Sequence, residues 1–343
     1  MDPAVGAAAD ALERVAYLLE RSRQPTYRVR AFRNAVAAIR EAGAEVVNSL
    51  ASAGRLTDLR GVGPSTAGVV MEVLAGAVPA YLSRLEEEAE PETAVDAETA
   101  LLCGLLQGDC HSHSHWSDGG SPIEAMAAAA AALGHSYLAL TDHSPRLTVA
   151  HGLSPERLRE QLEQVERLNA AGHGFRLLSG IEVDILEDGT LDQERPLLER
   201  LEVVVASVHS KLRMEAADMT PRMVRAVGDP AANILGHCTG RIVVGKGRPP
   251  SEFDAVEVFA ACAANGTAVE INSRPERLDP PDDLLSIAVD AGCLFAVDTD
   301  AHAPGQLEWQ RYGARKAVDA GVAPDRIVNT WPLERFLAWS TQP

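Results

Sequence analysis

Residues 108–120 read GDCHSHSHWSDGG, and the interpretation of the whole chain turns on them. His111 and His113 stand at i and i+2, so on an extended backbone both side chains point to the same side. Two imidazoles placed in this way can offer ring nitrogens to one metal ion. Asp109 precedes the pair and Asp118 follows it. An apolar run, Leu101 to Leu106, leads in, and an alanine-rich segment leads out. A single His-x-His is a common pairing. Its weight here comes from later segments that repeat the layout, an apolar run ending in His, Asp or Glu.

Those runs lie at 105–110, 137–142, 175–183, 202–208, 232–237, 267–272 and 293–298. Helical patterns fill most of the gaps, at 122–133, 154–171, 220–227, 252–265 and 282–291. Strand and helix in alternation predict an α/β fold, with a parallel sheet closed into a (β/α)7 barrel and chemistry at the C-terminal strand ends. The run ends supply His111, His113 and Asp118, then His143, Glu182, His209, His237, and finally Asp300 with His302. The sixth run instead ends near Asn272, with Arg274 close behind. Nine imidazole and carboxylate donors brought together by topology suffice for two or three divalent ions, with Zn, Mn or Fe as the matching metals.

Ahead of the barrel the pattern is purely helical. Leu12, Val15, Ala16 and Leu19 share one face over 8–20, as do Val29, Phe32, Val36 and Ile39 over 27–40, and 44–52 forms a third, short helix. Gly61-Val62-Gly63-Pro64-Ser65 then opens a further helix, AGVVMEVLAG. Gly-x-Gly permits a tight turn and exposes backbone N–H groups at a helix start, a seat for phosphate. The arrangement resembles a helix-hairpin-helix, a motif that grips the DNA backbone. Residues 1–85 hold ten arginines against eight acids, about +2, whereas residues 86–343 hold 21 basic against 41 acidic residues, −20. Six arginines and no acid lie from Arg21 to Arg40, so this end can attract phosphates that the remainder repels. Arg28, Arg30, Arg33, Gly61, Gly63 and Ser65 are the candidate DNA contacts. Residues 86–104 begin with an acidic, proline-containing run and read as a linker, giving domains at 1–85 and 105–343. Five widely spaced cysteines and no secretion signal or apolar stretch of membrane length point to a cytoplasmic protein.

With these motifs in place, residues 108–340 resemble the PHP (polymerase and histidinol phosphatase) domain. The motifs are HSH with SDG, TDHS, GIEVDIL, SVHSK, LGHCTGR, VEINSRPERLD, DTDAH and NTWPLE. Their wording is most similar to the C-terminal domain of bacterial family-X DNA polymerases, and YRVRAFRNA with LTDLRGVGPS resembles that family's first domain. The resemblance implies a distorted barrel holding a multinuclear metal site. It also implies that His111, His113, Glu182 and Asp300 hold one ion, that Glu182 bridges to a second held by His209 and His237, and that Asp118, His143 and His302 hold a third. Asp109, Asp142 and Asp298 are expected to orient imidazoles. Lys211, Arg241 and Arg274, each just past a motif, are candidate catalytic cations for the phosphoryl group.

The chain departs from the family in three ways. Only about twenty residues separate Leu85 from Leu105, too few for palm and fingers, which excludes polymerase chemistry. Pro64 stands where the family commonly has lysine, and residues 1–85 contain no lysine, which argues against a Schiff-base lyase. Cys238 follows His237 where proline is usual. The expected function is therefore a metal-dependent phosphoesterase, acting on DNA 3′ ends or on small phosphomonoesters. A DNA-binding scaffold with a silent barrel and a metal-dependent amidohydrolase are the alternatives, the latter disfavoured because no strand-end lysine is available for carboxylation.

Overall fold

The computed structural model describes residues 2–89, 95–171 and 174–341. The chain divides into two compact units, Met1–Ala94 and Val95–Pro343, and each has its own apolar core. His173 and the middle of the acidic run, 90–94, lie outside the described residues.

The first unit is helical. It comprises α1 (Pro3–Arg21), α2 (Thr26–Ser52), α3 (Pro64–Leu74) and α4 (Ala80–Glu88). Asp2 caps α1, its carboxylate accepting from the Ala4 N–H at 2.9 Å. Val5, Leu12, Val15 and Leu19 of α1 are buried with Phe32, Val36 and Ile39 of α2 and with Val69 and Val70 of α3. Gly43 leaves the helical region at φ 75° and breaks α2 into two helical halves, which correspond to the helices expected over 27–40 and 44–52. Gly61, at φ 98°, sits where a Cβ would come within 3.2 Å of the Asn34 carbonyl oxygen, so the hairpin turn lies directly on α2.

The second unit opens with α5 (Ala97–Leu105), followed by β1 (Gly108–Ser112), α6 (Ile123–Ala132), β2 (Tyr137–Leu140), α7 (Pro155–Ala171), β3 (Arg176–Asp184) and α8 (Arg195–Leu198). Then come β4 (Val203–Ser207), α9 (Ala216–Val227), β5 (Ile234–Leu235), α10 (Ala255–Asn265) and β6 (Ala268–Asn272). The chain ends with α11 (Asp282–Asp290), β7 (Phe295–Asp298), α12 (Gln310–Asp319) and α13 (Leu333–Ser340). The apolar stretch that leads into β1 is thus helical. Asp96 accepts from the Glu98 and Thr99 N–H groups at 3.1 and 3.0 Å, and this cap starts the helix inside the stretch expected to be linker. Most of the segment read as linker is accordingly the end of α4 and the body of α5.

The seven strands are parallel and ordered β1 to β7. Successive strand side chains face opposite ways, and both faces are buried. Cys110, Ala139, Leu178, Val205, Ile234, Ala268 and Ala296 cluster with Trp331 and Phe336, while Ile181, Val183, Val204, Val269 and Ile271 pack with the surrounding helices. Further along the same faces as Leu178, Ala268 and Ala296 stand Glu182, Glu270 and Asp298, where the apolar filling gives way to carboxylates.

Between β7 and β1 the ladder is largely replaced by side chains. Beyond one backbone bridge, Ser112 to Ala301, Asp298 accepts from the Cys110 N–H at 2.8 Å. Asn329 accepts from the Val297 N–H at 2.7 Å and donates to the Gly108 carbonyl at 3.2 Å. Gln310 donates to the Gly108 and Val297 carbonyls, both at 2.9 Å. This seam pulls the DTDAH segment against the HSH segment.

Candidate metal centre

All nine expected donors converge. His113, Asp118, His143 and His302 form one set of ligand atoms lying within 4.8 Å of one another, His111, His113 and Glu182 a second, and His143, Glu182 and His209 a third. His237 and Asp300 join through their neighbours. His237 Nε2 is 2.9 Å from Glu182 Oε1, and Asp300 Oδ1 is 3.3 Å from His113 Nε2. His302 Nε2 and His143 Nε2 lie 3.3 and 3.5 Å from Asp118 Oδ1.

Glu182 is the pivot. Its Oε2 faces His143 Nδ1 at 2.8 Å, His111 Nε2 at 3.4 Å and His113 Nε2 at 3.6 Å. Its Oε1 faces His237 and, at 3.2 Å, His209 Nε2. Burial alone would raise the carboxyl's pKa, but His209, His111 and His143 hold it well below the usual range. Asp300 is likewise held down, by His113 and Arg274 against the effect of burial. Its backbone has φ 53°, a left-handed conformation that aspartate tolerates better than most residues. Burial and the neighbouring His302 and His143 depress His113 to about 3, which keeps its ring neutral with a lone pair free. Burial would also lower His209, but Glu182 and Asp184 raise it to about 9.

Buried polar atoms nearly always find partners. Here His111 Nε2, both ring nitrogens of His113, His143 Nδ1 and Glu182 Oε2 are buried and make no hydrogen bond. A cluster of orphaned lone pairs directed at common points fits divalent cations, and imidazole with carboxylate is the donor chemistry of Zn, Mn and Fe.

The imidazoles are oriented by carboxylates that the sequence reading passed over. His111 Nδ1 is 2.6 Å from Glu270 Oε1, and His209 Nδ1 contacts Asp184. Glu270 Oε2 also accepts from the His237 N–H. Asp184 and Glu270 share a strand face with Glu182 and Asn272 respectively, so the i+2 periodicity carried a signal for both. Asp109, Asp142 and Asp298, expected in this role, make no hydrogen bond to an imidazole among the described residues and serve backbone, hydroxyl and amide groups instead. Asp109 accepts from the His111 and Thr299 N–H groups at 3.0 and 3.1 Å, and Asp142 from Ser114 N–H and Gln161 Nε2 at 2.8 and 2.7 Å. Asp142 thereby fixes the loop that carries Asp118, and Asp298 belongs to the seam.

A cavity of about 390 Å³ opens over the donors. Its rim includes Arg274, Glu276 and Arg277 on one loop, with Leu147, Val149 and Ile242 as apolar wall. Of the three expected cations only Arg274 lines it. Arg274 donates to the Asp300 carbonyl at 2.8 Å. Arg241 is drawn away, because its guanidinium donates to the Arg277 and Leu278 carbonyls. Lys211 is exposed and outside the lining. Arg277, not anticipated from sequence, pairs with Asp300 Oδ2 at 3.2 Å. His115 is exposed, outside the donor sets.

In the helical unit, Arg33 is committed to Glu20, with contacts of 2.8–3.0 Å to a carboxylate that is itself buried. Arg28 donates to Gln24 and Tyr81 at 2.5 and 2.6 Å. Arg30 and Ser65 are exposed, and Gly63 N–H donates to Thr66 Oγ1 at 2.9 Å.

Two family models match the chain. Residues 109–274 match the PHP domain and residues 6–77 a helix-hairpin-helix domain. The chain is 35% identical over 249 residues to the DNA polymerase/3′-5′ exonuclease PolX of Bacillus subtilis, covering 73% of this chain and 43% of that protein. The chain thus spans less than half the length of that relative. It is 28% identical over 234 residues to a protein of Thermoanaerobacter sp. (strain X514) named as a probable phosphatase, covering 65% of this chain and 89% of that one. Among solved structures, histidinol phosphate phosphatase from Lactococcus lactis, complexed with zinc, L-histidinol and phosphate, aligns with a TM-score of 0.46 at 18% identity. That alignment covers 64% of this chain and 95% of that one.

Proposed function

The chain carries a PHP domain behind a helix-hairpin-helix domain, and on that premise we propose that it is a metal-dependent phosphoesterase. The observation that carries the reading is Glu182, one buried carboxylate turned toward five histidines, several with orphaned ring nitrogens. His111, His113, Glu182 and Asp300 would hold one divalent ion, Glu182, His209 and His237 a second, and Asp118, His143 and His302 a third. His113 and His143 stand where neighbouring donor sets meet. Such ions lower the pKa of water and neutralise charge on phosphoryl oxygens. The chain's own residues do the remaining work. Arg274 and Arg277 place guanidinium groups on the cavity rim, where they can hold nonbridging phosphate oxygens. Leu147, Val149 and Ile242 supply an apolar wall beside them.

A DNA 3′ end is the substrate this reading favours, as in the name of the Bacillus relative. The helix-hairpin-helix unit would supply Arg30, Ser65 and the turn at Gly61–Gly63 to the phosphate backbone, with Arg28 and Arg33 supporting the fold. The −20 charge of residues 86–343 favours a second reading, a small phosphomonoester, since a long duplex would be repelled.

Protein loaded with Mn²⁺ and offered a 3′-labelled oligonucleotide and p-nitrophenyl phosphate separates the two. Glu182→Gln is expected to reduce either activity at least about 100-fold, on the scale of losing a transition-state contact in a dry site. Activity retained by Glu182→Gln, or none in the metal-loaded wild type, would sink the proposal.

A further inference from the structure

On the cavity rim the chain builds a small hairpin. Ile242 and Arg248 exchange backbone hydrogen bonds of 2.9 and 2.8 Å. Gly245 and Gly247, at φ 62° and 64°, make the turn. The hairpin is braced: Val243 N–H donates to the Glu276 carbonyl at 2.8 Å, and Arg248 Nε donates to the Gly240 carbonyl at 2.6 Å. At its base Ile242 lines the cavity. At its tip Val243 and Val244 are 52% and 39% exposed. Lys246 is exposed and joins no ion pair among the described residues. Facing the cavity from the β2–α7 loop is Val149, 84% exposed.

The charge of this segment runs against its surroundings. From Pro230 to Ser251 there is no acid, while Arg241, Lys246 and Arg248 are all cations, in a domain that is otherwise strongly acidic. Exposed valines beside an unpaired lysine suit a ligand that presents an apolar ring face and an anion in succession. A small monoester would end within the cavity and would not reach the tip, about 10 Å further along at the rise of an extended chain. A single nucleic-acid strand continues past the cavity and offers a base and a phosphate at each step.

We propose that the hairpin Arg241–Arg248 holds the single strand just upstream of a polynucleotide 3′ end, with valines against a base and Lys246 on a phosphate, while the terminal phosphodiester lies over the metal centre. The proposal rests on the phosphoesterase reading and deepens it. It assigns strand recognition to the PHP domain itself, in addition to any grip of the helix-hairpin-helix unit.

The test uses the full-length, Mn²⁺-loaded protein. Its substrates are a single-stranded oligonucleotide and the p-nitrophenyl ester of thymidine 5′-monophosphate, a diester with no upstream strand. Lys246→Ala is expected to reduce kcat/KM on the oligonucleotide about three- to tenfold more than on the ester, and to flatten the log–log salt dependence by about 0.7, the share of one phosphate on a single strand. Lys246→Arg should restore both, and Val243→Ser with Val244→Ser should raise KM on the oligonucleotide alone. Equal effects on the two substrates, or none, overturn the hairpin's role and leave the phosphoesterase reading standing. If the wild type fails to cleave one or both substrates, photo-cross-linking decides. An oligonucleotide with 4-thiothymidine near its 3′ end should cross-link within residues 241–248, and cross-links absent or confined to residues 1–94 overturn the proposal.

Discussion

Two of the five histidines that Glu182 faces are held toward it by carboxylates on their far ring nitrogens. Asp184 on the same strand face takes His209 Nδ1, and Glu270 takes His111 Nδ1. A carboxylate on the far nitrogen fixes the tautomer and raises the basicity of the near one, and losing such a partner typically costs about 10- to 100-fold in metal affinity. Asp184→Asn is expected to leave the circular dichroism unchanged and to weaken binding at the Glu182–His209 position by that amount, measured by competition with a chelating dye. Unchanged affinity would mean that packing alone places His209. The donors themselves were legible in the sequence, since each ends an apolar run. Their supports were harder to read: Asp184 falls just past its run and Glu270 inside one, and only the period of two puts them beside the ligands. Arg241 was misjudged for a related reason. Proximity to a motif does not give a side chain's direction, and Gly240, at φ 61°, turns the chain just before it.

Among the elements, the β7–β1 closure shows most clearly what a pattern of apolar runs leaves out. Parallel strands and crossover helices follow from alternation and length, and seven runs were legible on that basis. How the ring closes is not encoded in periodicity. It depends on Gln310 in α12 and on Asn329 in the NTWPLE segment, which stand in for ladder hydrogen bonds. Asn329 is fully buried and bonds to the Val297 N–H, the Gly108 carbonyl and Asp298 Oδ1. Asn329→Ala leaves the Val297 N–H without its acceptor, while the Gly108 carbonyl keeps Gln310 and Asp298 keeps the Cys110 N–H. One buried group left unsatisfied costs about 1–3 kcal/mol, and a loss in that range is expected. A urea titration followed by tryptophan fluorescence measures it. A loss within about 0.5 kcal/mol, the range of ordinary surface substitutions, would show that the bridge at Ala301, Gln310 and Asp298 close the barrel without Asn329. The segment before β1 reads as linker because acids and a proline fill its first half, whereas the Asp96 cap starts a helix within it.

At the scale of the whole molecule, two separate cores and one metal centre make stability a property of each unit. All four tryptophans, Trp116, Trp309, Trp331 and Trp339, belong to the Val95–Pro343 unit, so their fluorescence reports on the barrel alone, whereas helical circular dichroism reports on both units. A cation that binds the folded barrel stabilises it by mass action, by about 2.7 kcal/mol at a hundredfold excess over Kd. It gives nothing to a unit that lacks the donor sets. Without the ion, Glu182 and Asp300 share their buried charge only with histidine protons and arginines, which compensate it less fully than a divalent cation. Removing metal with a chelator is therefore expected to lower the tryptophan-detected melting temperature by several degrees and to leave a second transition, seen only by circular dichroism, where it was. Restoring Mn²⁺ or Zn²⁺ should reverse the shift in the Glu182 wild type and fail to do so in Glu182→Gln. If both signals moved together by the same amount, the two units would be unfolding as one, and the metal would be holding the entire chain rather than the barrel.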